Sequence, residues 1–126
     1  MDDRSASDSH QILALHLDVT EQNGYAVVAV HGELDISNAS VLREQLIELC
    51  ELGHRHIVVD LESTTFLDST GLGVLVGTLQ RLRNQEGDLS LVCTRPRILK
   101  VFDLTGLAKV FTIHPSTVAA VTARAE

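Results

Sequence analysis

Residues 57–61 (Ile-Val-Val-Asp-Leu) form a short, nearly continuous apolar run, and beyond them Leu72, Leu75, Val76, Leu79 and Leu82 recur at helical spacing. The first pattern predicts an interior strand covered on both faces, and the second a helix with one apolar stripe running to about Asn84. A second apolar run at 89–93 repeats the strand signal. Strands separated by helices pair in parallel through right-handed crossovers, so this succession predicts an α/β domain.

The flanking segments extend this reading. Leu13, Leu15, Leu17 and Val19 alternate with Ala14, His16 and Asp18, the period of a half-buried strand. Asn23-Gly24 marks a turn and 25–31 a second strand, so the domain is expected to open with an antiparallel hairpin. Residues 32–35 read as a loop. A helix capped by Ser37 or Asn38 follows, with Leu42, Leu46, Leu49 and Cys50 on its core face and Gly53 at its end. Residues 62–65 read as a polar loop. Pro96 suits the first turn of a third helix holding Leu99 and Phe102 and closing near Gly106; 110–113 reads as the last strand, and a short helix reaches Ala123. The expected order is ββαβαβαβα. Residues 1–10, polar and without hydrophobic period, read as a flexible tail, and 11–126 as one domain.

Ten basic against seventeen acidic residues leave a net charge of −7, which argues against binding nucleic-acid phosphates or an anionic membrane surface. No apolar run is long enough to span a bilayer and the start lacks a signal-peptide core, so a cytoplasmic location is expected. Cys50 and Cys93 lie far apart and read as small buried apolar residues rather than a disulfide. The His residues (10, 16, 31, 54, 56 and 114) show no zinc spacing, and no metal or cofactor is expected.

The segment Phe66-Leu67-Asp68-Ser69-Thr70-Gly71-Leu72-Gly73 carries the functional information. Asp68, Ser69 and Thr70 stand where the chain turns into the long helix, and each is a plausible cap for its unpaired amides. Capping accounts for one of the three and leaves a hydroxyl at an exposed helix start. A phosphate there is compatible with the partial positive charge of a helix N-terminus, and it adds about −1.5 to −2 charges beside Asp68. Gly73 and Gly77, one turn apart and off the leucine stripe, call for compensation; close internal packing is slightly favoured over a partner's approach. Catalytic readings are weaker. Asp68-Ser69 lacks the G-x-S-x-G elbow and an evident His base, and neither G-x-G-x-x-G nor a P-loop is present.

These residues resemble the anti-sigma factor antagonists, single STAS-domain proteins of bacteria, with a match close to the actinobacterial members. The resemblance rests on Gly32-Glu33-Leu34-Asp35, on 57–61, above all on the Asp68-Ser69-Thr70-Gly71-Leu72-Gly73 segment, and on Phe102-Asp103-Leu104-Thr105-Gly106-Leu107. It implies the STAS fold, a mixed, mostly parallel sheet of about five strands with four helices. It implies a non-enzymatic protein phosphorylated on Ser69, with Thr70 the runner-up acceptor, by a serine kinase that is itself the anti-sigma factor. The unphosphorylated form would bind that kinase and free a sigma factor until phosphorylation ends the binding, and a serine phosphatase would reverse the change. ATP and Mg²⁺ would belong to the kinase. Gly32, Glu33, Asp35, Asp68, Ser69, Thr70, Gly71, Leu72 and Gly73 would form the partner surface. The rival reading is a non-switching STAS scaffold, or a nucleotide or small-molecule sensor using the same loop.

Overall fold

The computed structural model describes residues 15–123. The tail expected over 1–10, and Leu13 and Ala14 of the first strand, lie outside them. The described chain forms strands β1 (Leu15–Gln22) and β2 (Tyr25–Leu34), helix α1 (Ala39–Glu51), strands β3 (His56–Asp60) and β4 (Thr64–Leu67), and helix α2 (Ser69–Arg83). It continues with β5 (Asp88–Val92), α3 (Pro96–Thr105), a 3₁₀ turn (Leu107–Lys109), β6 (Ile113–His114) and α4 (Thr117–Thr122).

Asn23 and Gly24 both take positive φ (54° and 85°), the geometry of a tight hairpin turn, and β1 pairs with β2 antiparallel from Leu15↔Gly32 to Gln22↔Tyr25. The sheet order is β1-β2-β3-β5-β6, with every pair after the hairpin parallel. The mostly parallel mixed sheet is therefore as expected, but it has six strands, because β4 also pairs with β2. β3 takes the first half of the free β2 edge (Ala26↔Ile57 to Ala29↔Asp60) and β4 the second (Glu33↔Phe66, Leu34↔Leu67).

This corrects two expected loops. Residues 62–65 are polar, yet Thr64 is fully buried, its hydroxyl donating to the Val30 carbonyl at 2.9 Å, so the polar group is satisfied inside. Gly32 and Glu33 are poor strand formers, yet β2 continues through them. Gly32 adopts φ 104°, open to glycine alone at little cost, where the β2–β4 register shifts, and its amide donates to the Ser63 carbonyl.

One face of the sheet, including Val28, Val30, Ile57, Val59, Leu89 and Leu91, is covered by α1, α2 and α3. The stripe expected on the long helix is there: Leu72, Leu75, Leu79 and Leu82 are buried and Val76 packs at the margin. Burial of each such leucine contributes roughly 1.5–3 kcal/mol. The other face carries a smaller cluster in which Tyr25, Val27, Val58 and Val92 meet Ala120 and Val121 of α4. Pro96 opens α3, and Gly106, at φ 78°, ends it. The strand expected over 110–113 is shorter and later. Phe111 is buried edge-on against Phe102 (5.8 Å, 87°), which draws the segment into the core and leaves only Ile113–His114 to pair with β5.

Candidate functional site

Because β2 and β4 run parallel and end together at Leu34↔Leu67, the loops leaving them meet at one end of the sheet. The first loop leads into α1; the second is so short that Asp68 alone separates β4 from α2. Gly71 lets α2 start this close. A Cβ there would stand 2.8 Å from both Leu34 Cγ and Leu67 Cδ1, so a side chain would push the helix off the strand ends.

Asp68 is the N-cap of α2. Its Oδ1 accepts from the Thr70 and Gly71 amides (2.9 and 3.1 Å), while Oδ2 accepts from the Ile36 amide at 3.0 Å. One carboxylate thus caps the helix and ties the neighbouring loop to it. That loop has its own bracing: Asp35 Oδ1 accepts from the Ser37 amide and hydroxyl, and the Asn38 side chain bridges the Asp35 amide and the Glu33 carbonyl. Ser37 and Asn38, expected to cap α1, spend their side chains on the loop. The Asp35 carbonyl instead receives the Asn38 and Ala39 amides.

Ser69 follows the cap as the first residue of α2 and is exposed; its hydroxyl has no hydrogen-bond partner among the described residues. Thr70 is half-buried one position on. Of the other expected surface residues, Glu33 and Gly73 are exposed and Gly32, Asp35 and Asp68 half-buried. Gly71 and Leu72 are buried and form the site's foundation. No basic side chain pairs with Glu33, Asp35 or Asp68 among the described residues, so Ser69 sits in an acidic setting.

Residues 16–120 match the family model described as STAS domain. The chain belongs to the STAS-domain family. Within it, this STAS domain groups with the anti-sigma factor antagonists: it is 37% identical over 99 residues to the anti-sigma-B factor antagonist of Bacillus subtilis, covering 79% of this chain and 90% of that one. The crystal structure of an anti-sigma factor antagonist from Mycobacterium paratuberculosis superimposes with a TM-score of 0.82 at 30% identity, over 89% and 95% of the two chains. The Bacillus cell-fate determinant SpoIIAA in its phosphorylated form shares the fold (TM-score 0.66, 24% identity, 90% and 100% covered). These antagonists are regulators rather than catalysts, in keeping with the non-enzymatic reading.

Both Asp68 oxygens are occupied by amides and neither bonds the Ser69 hydroxyl, so Asp68 is not placed as a base for a nucleophilic serine. Among the described residues no cluster of three His, Cys, Asp or Glu is arranged for a metal, and no helix is long and apolar enough to cross a membrane. Cys50 and Cys93 are buried free thiols, and loss of hydration pushes both thiols' pKa up.

Two features of the site were missed from sequence. Ile36 and Phe66 are 78% and 49% exposed, large apolar side chains beside the residues that carry the site. The available signal was their position, an isoleucine inside a polar loop and a phenylalanine two residues before the Asp68 cap. Of the two accounts of Gly73 and Gly77, the slightly favoured one, internal packing, is not what the structure shows: a Cβ at either would meet nothing within 4 Å. They face a groove of about 220 Å³ between α1 and α2, with Arg43 and Ile47 on one side and Arg81 on the other. Each glycine costs the helix about 1 kcal/mol relative to alanine, and no contact among the described residues offsets it.

Proposed function

We propose that this STAS domain is a phosphorylation-controlled antagonist of an anti-sigma factor: unphosphorylated, it binds an anti-sigma serine kinase and frees a sigma factor, and a phosphate on Ser69 ends the binding. The observation that carries the reading is the Ser69 hydroxyl, exposed and without a hydrogen-bond partner among the described residues, at the start of α2 beside a cap already filled by Asp68. A dianion added there has no free capping amides at 70 and 71 to neutralise it. Its charge adds to Glu33, Asp35 and Asp68 and falls on whatever docks over the loop. Ile36 and Phe66 supply apolar anchors and Glu33, Asp35 and Gly73 the surrounding contacts, while Thr70, less exposed, is the secondary acceptor. ATP and Mg²⁺ reside on the kinase, a serine phosphatase restores the bare form, and the exchange takes place in the cytoplasm on the 11–126 domain, without nucleic acid or membrane.

Support comes from the likeness to named anti-sigma factor antagonists and from a structural relative known in a phosphorylated form. The actinobacterial affinity is a narrower reading resting on the motifs; the Mycobacterium likeness at 30% supports it less than it would if the Bacillus relative did not reach 37%. The rival sensor reading has little support at this loop. The cavity of about 250 Å³ whose lining includes Tyr25, His56, Ile57, Asp88, His114 and Ala120 lies by the starts of β3 and β5, at the other end of the sheet.

Incubation with anti-sigma kinases of the source organism and ATP, followed by intact-mass measurement, is expected to add one phosphate, absent from Ser69→Ala. No phosphate with any such kinase would favour the non-switching scaffold.

A further inference from the structure

We infer that the groove between α1 and α2 receives an acidic helix of the anti-sigma partner, laid along α2 from Ser69 toward Arg81. This rests on the partner-binding reading above and extends it to a second, separable contact. Ser69, Gly73 and Gly77 follow one another at four-residue steps, so the exposed hydroxyl opens onto a lane of bare backbone. Glycine at these two positions serves no conformational need, since neither has positive φ, and no packing need, since the space above both is open. What it preserves is room for another backbone to come close.

The chemistry of that backbone's side chains follows from the rims. Arg43 and Arg81 are the charged residues lining the groove, and neither guanidinium has a hydrogen-bond or ion-pair partner among the described residues. In a chain of net charge −7, a hollow edged by two unpaired arginines and no carboxylate is complementary to an acidic segment. Guanidinium forks suit carboxylates in particular. The floor between them, Thr78 with its hydroxyl already donated to the Val74 carbonyl, and the side wall of Ile47, offer contact surface rather than competing donors. A helix with carboxylates on one face and small residues toward Gly73 and Gly77 fits this arrangement.

The test uses the full chain in the Ser69→Ala background, with the purified kinase that phosphorylates Ser69 as the probe. Gly73→Ala and Gly77→Ala are expected to raise Tm by roughly 3–6 °C each, because the helix gains and nothing clashes. Gly77→Leu should fold and yet bind the kinase at least about tenfold more weakly. Arg43→Glu with Arg81→Glu should weaken binding by a similar factor and flatten its dependence on salt. Wild-type affinity in folded Gly77→Leu would overturn the proposal, and so would tighter binding by the Arg→Glu pair. So would self-association of the chain alone that Gly77→Leu abolishes, since the groove would then belong to a second copy. The switch reading stands or falls separately, on whether Ser69→Asp binds less than Ser69→Ala in the same assay.

Discussion

Asp68 and Ile36 are joined across 32 residues of sequence by a 3.0 Å hydrogen bond, the amide of Ile36 donating to the carboxylate oxygen that the helix cap leaves over. Asn at 68 keeps an oxygen for the Thr70 and Gly71 amides but turns a donor toward Ile36. Asp68→Asn should therefore preserve α2 and release the loop, costing about 0.5–1.5 kcal/mol, whereas Asp68→Ala should cost about 1–2 kcal/mol by removing the cap as well. Thermal unfolding of the two variants checks the ranking, and faster exchange of the Ile36 amide in Asp68→Asn checks its cause.

Gly71 answers to packing rather than to recognition. Gly71→Ala brings a methyl to 2.8 Å from Leu34 and Leu67, and overpacking of this kind costs typically 1–3 kcal/mol. Denaturant titration should show the loss. At Gly73, one face away, the same change should stabilise the protein.

Ile36, at 78% exposed, contributes little to the isolated fold. Ile36→Ala should leave Tm within about 2 °C of wild type, as surface substitutions do, while weakening capture by the anti-sigma kinase several-fold. Parallel melting and binding curves decide; equal affinity would remove Ile36 from the docking surface.

The legible part of the fold was its periodic part. The stripe from Leu72 to Leu82, the run at 57–61 and the Asn23-Gly24 turn each combine local preference with burial, and each became the expected element. The misreadings lie where tertiary contacts override composition. Thr64 is buried in a segment polar enough to pass for a loop, because Val30 offers it a carbonyl, and Gly32 and Glu33 extend β2 because β4 is there to pair with them. At the site, Asp68 and Ser69 were readable from their place before an apolar helix. The second Asp68 bond to Ile36 was not, since nothing local indicates that two loops converge, and the role of Gly73 and Gly77 required seeing empty space.

Cys50 and Cys93 give a pH-dependent prediction. Burial raises each thiol above its ordinary value of 9.0, so the folded protein holds these protons more tightly than the unfolded chain. Their contribution is complete below pH 9.0 and is lost as pH rises through the higher folded values. Unfolding free energy should decline on the alkaline side beyond that in a Cys50→Ala, Cys93→Ala control, and native protein at pH 7 should resist alkylation that proceeds readily in denaturant.

Affinity of the anti-sigma kinase for the bare and the Ser69-phosphorylated protein, measured by calorimetry on the two purified forms, goes most directly to the switch. The bare protein and Ser69→Ala should bind alike, and the phosphorylated form, with Ser69→Asp following in part, at least about a hundredfold more weakly, some 2.7 kcal/mol. Equal affinity for the bare and phosphorylated forms would contradict it.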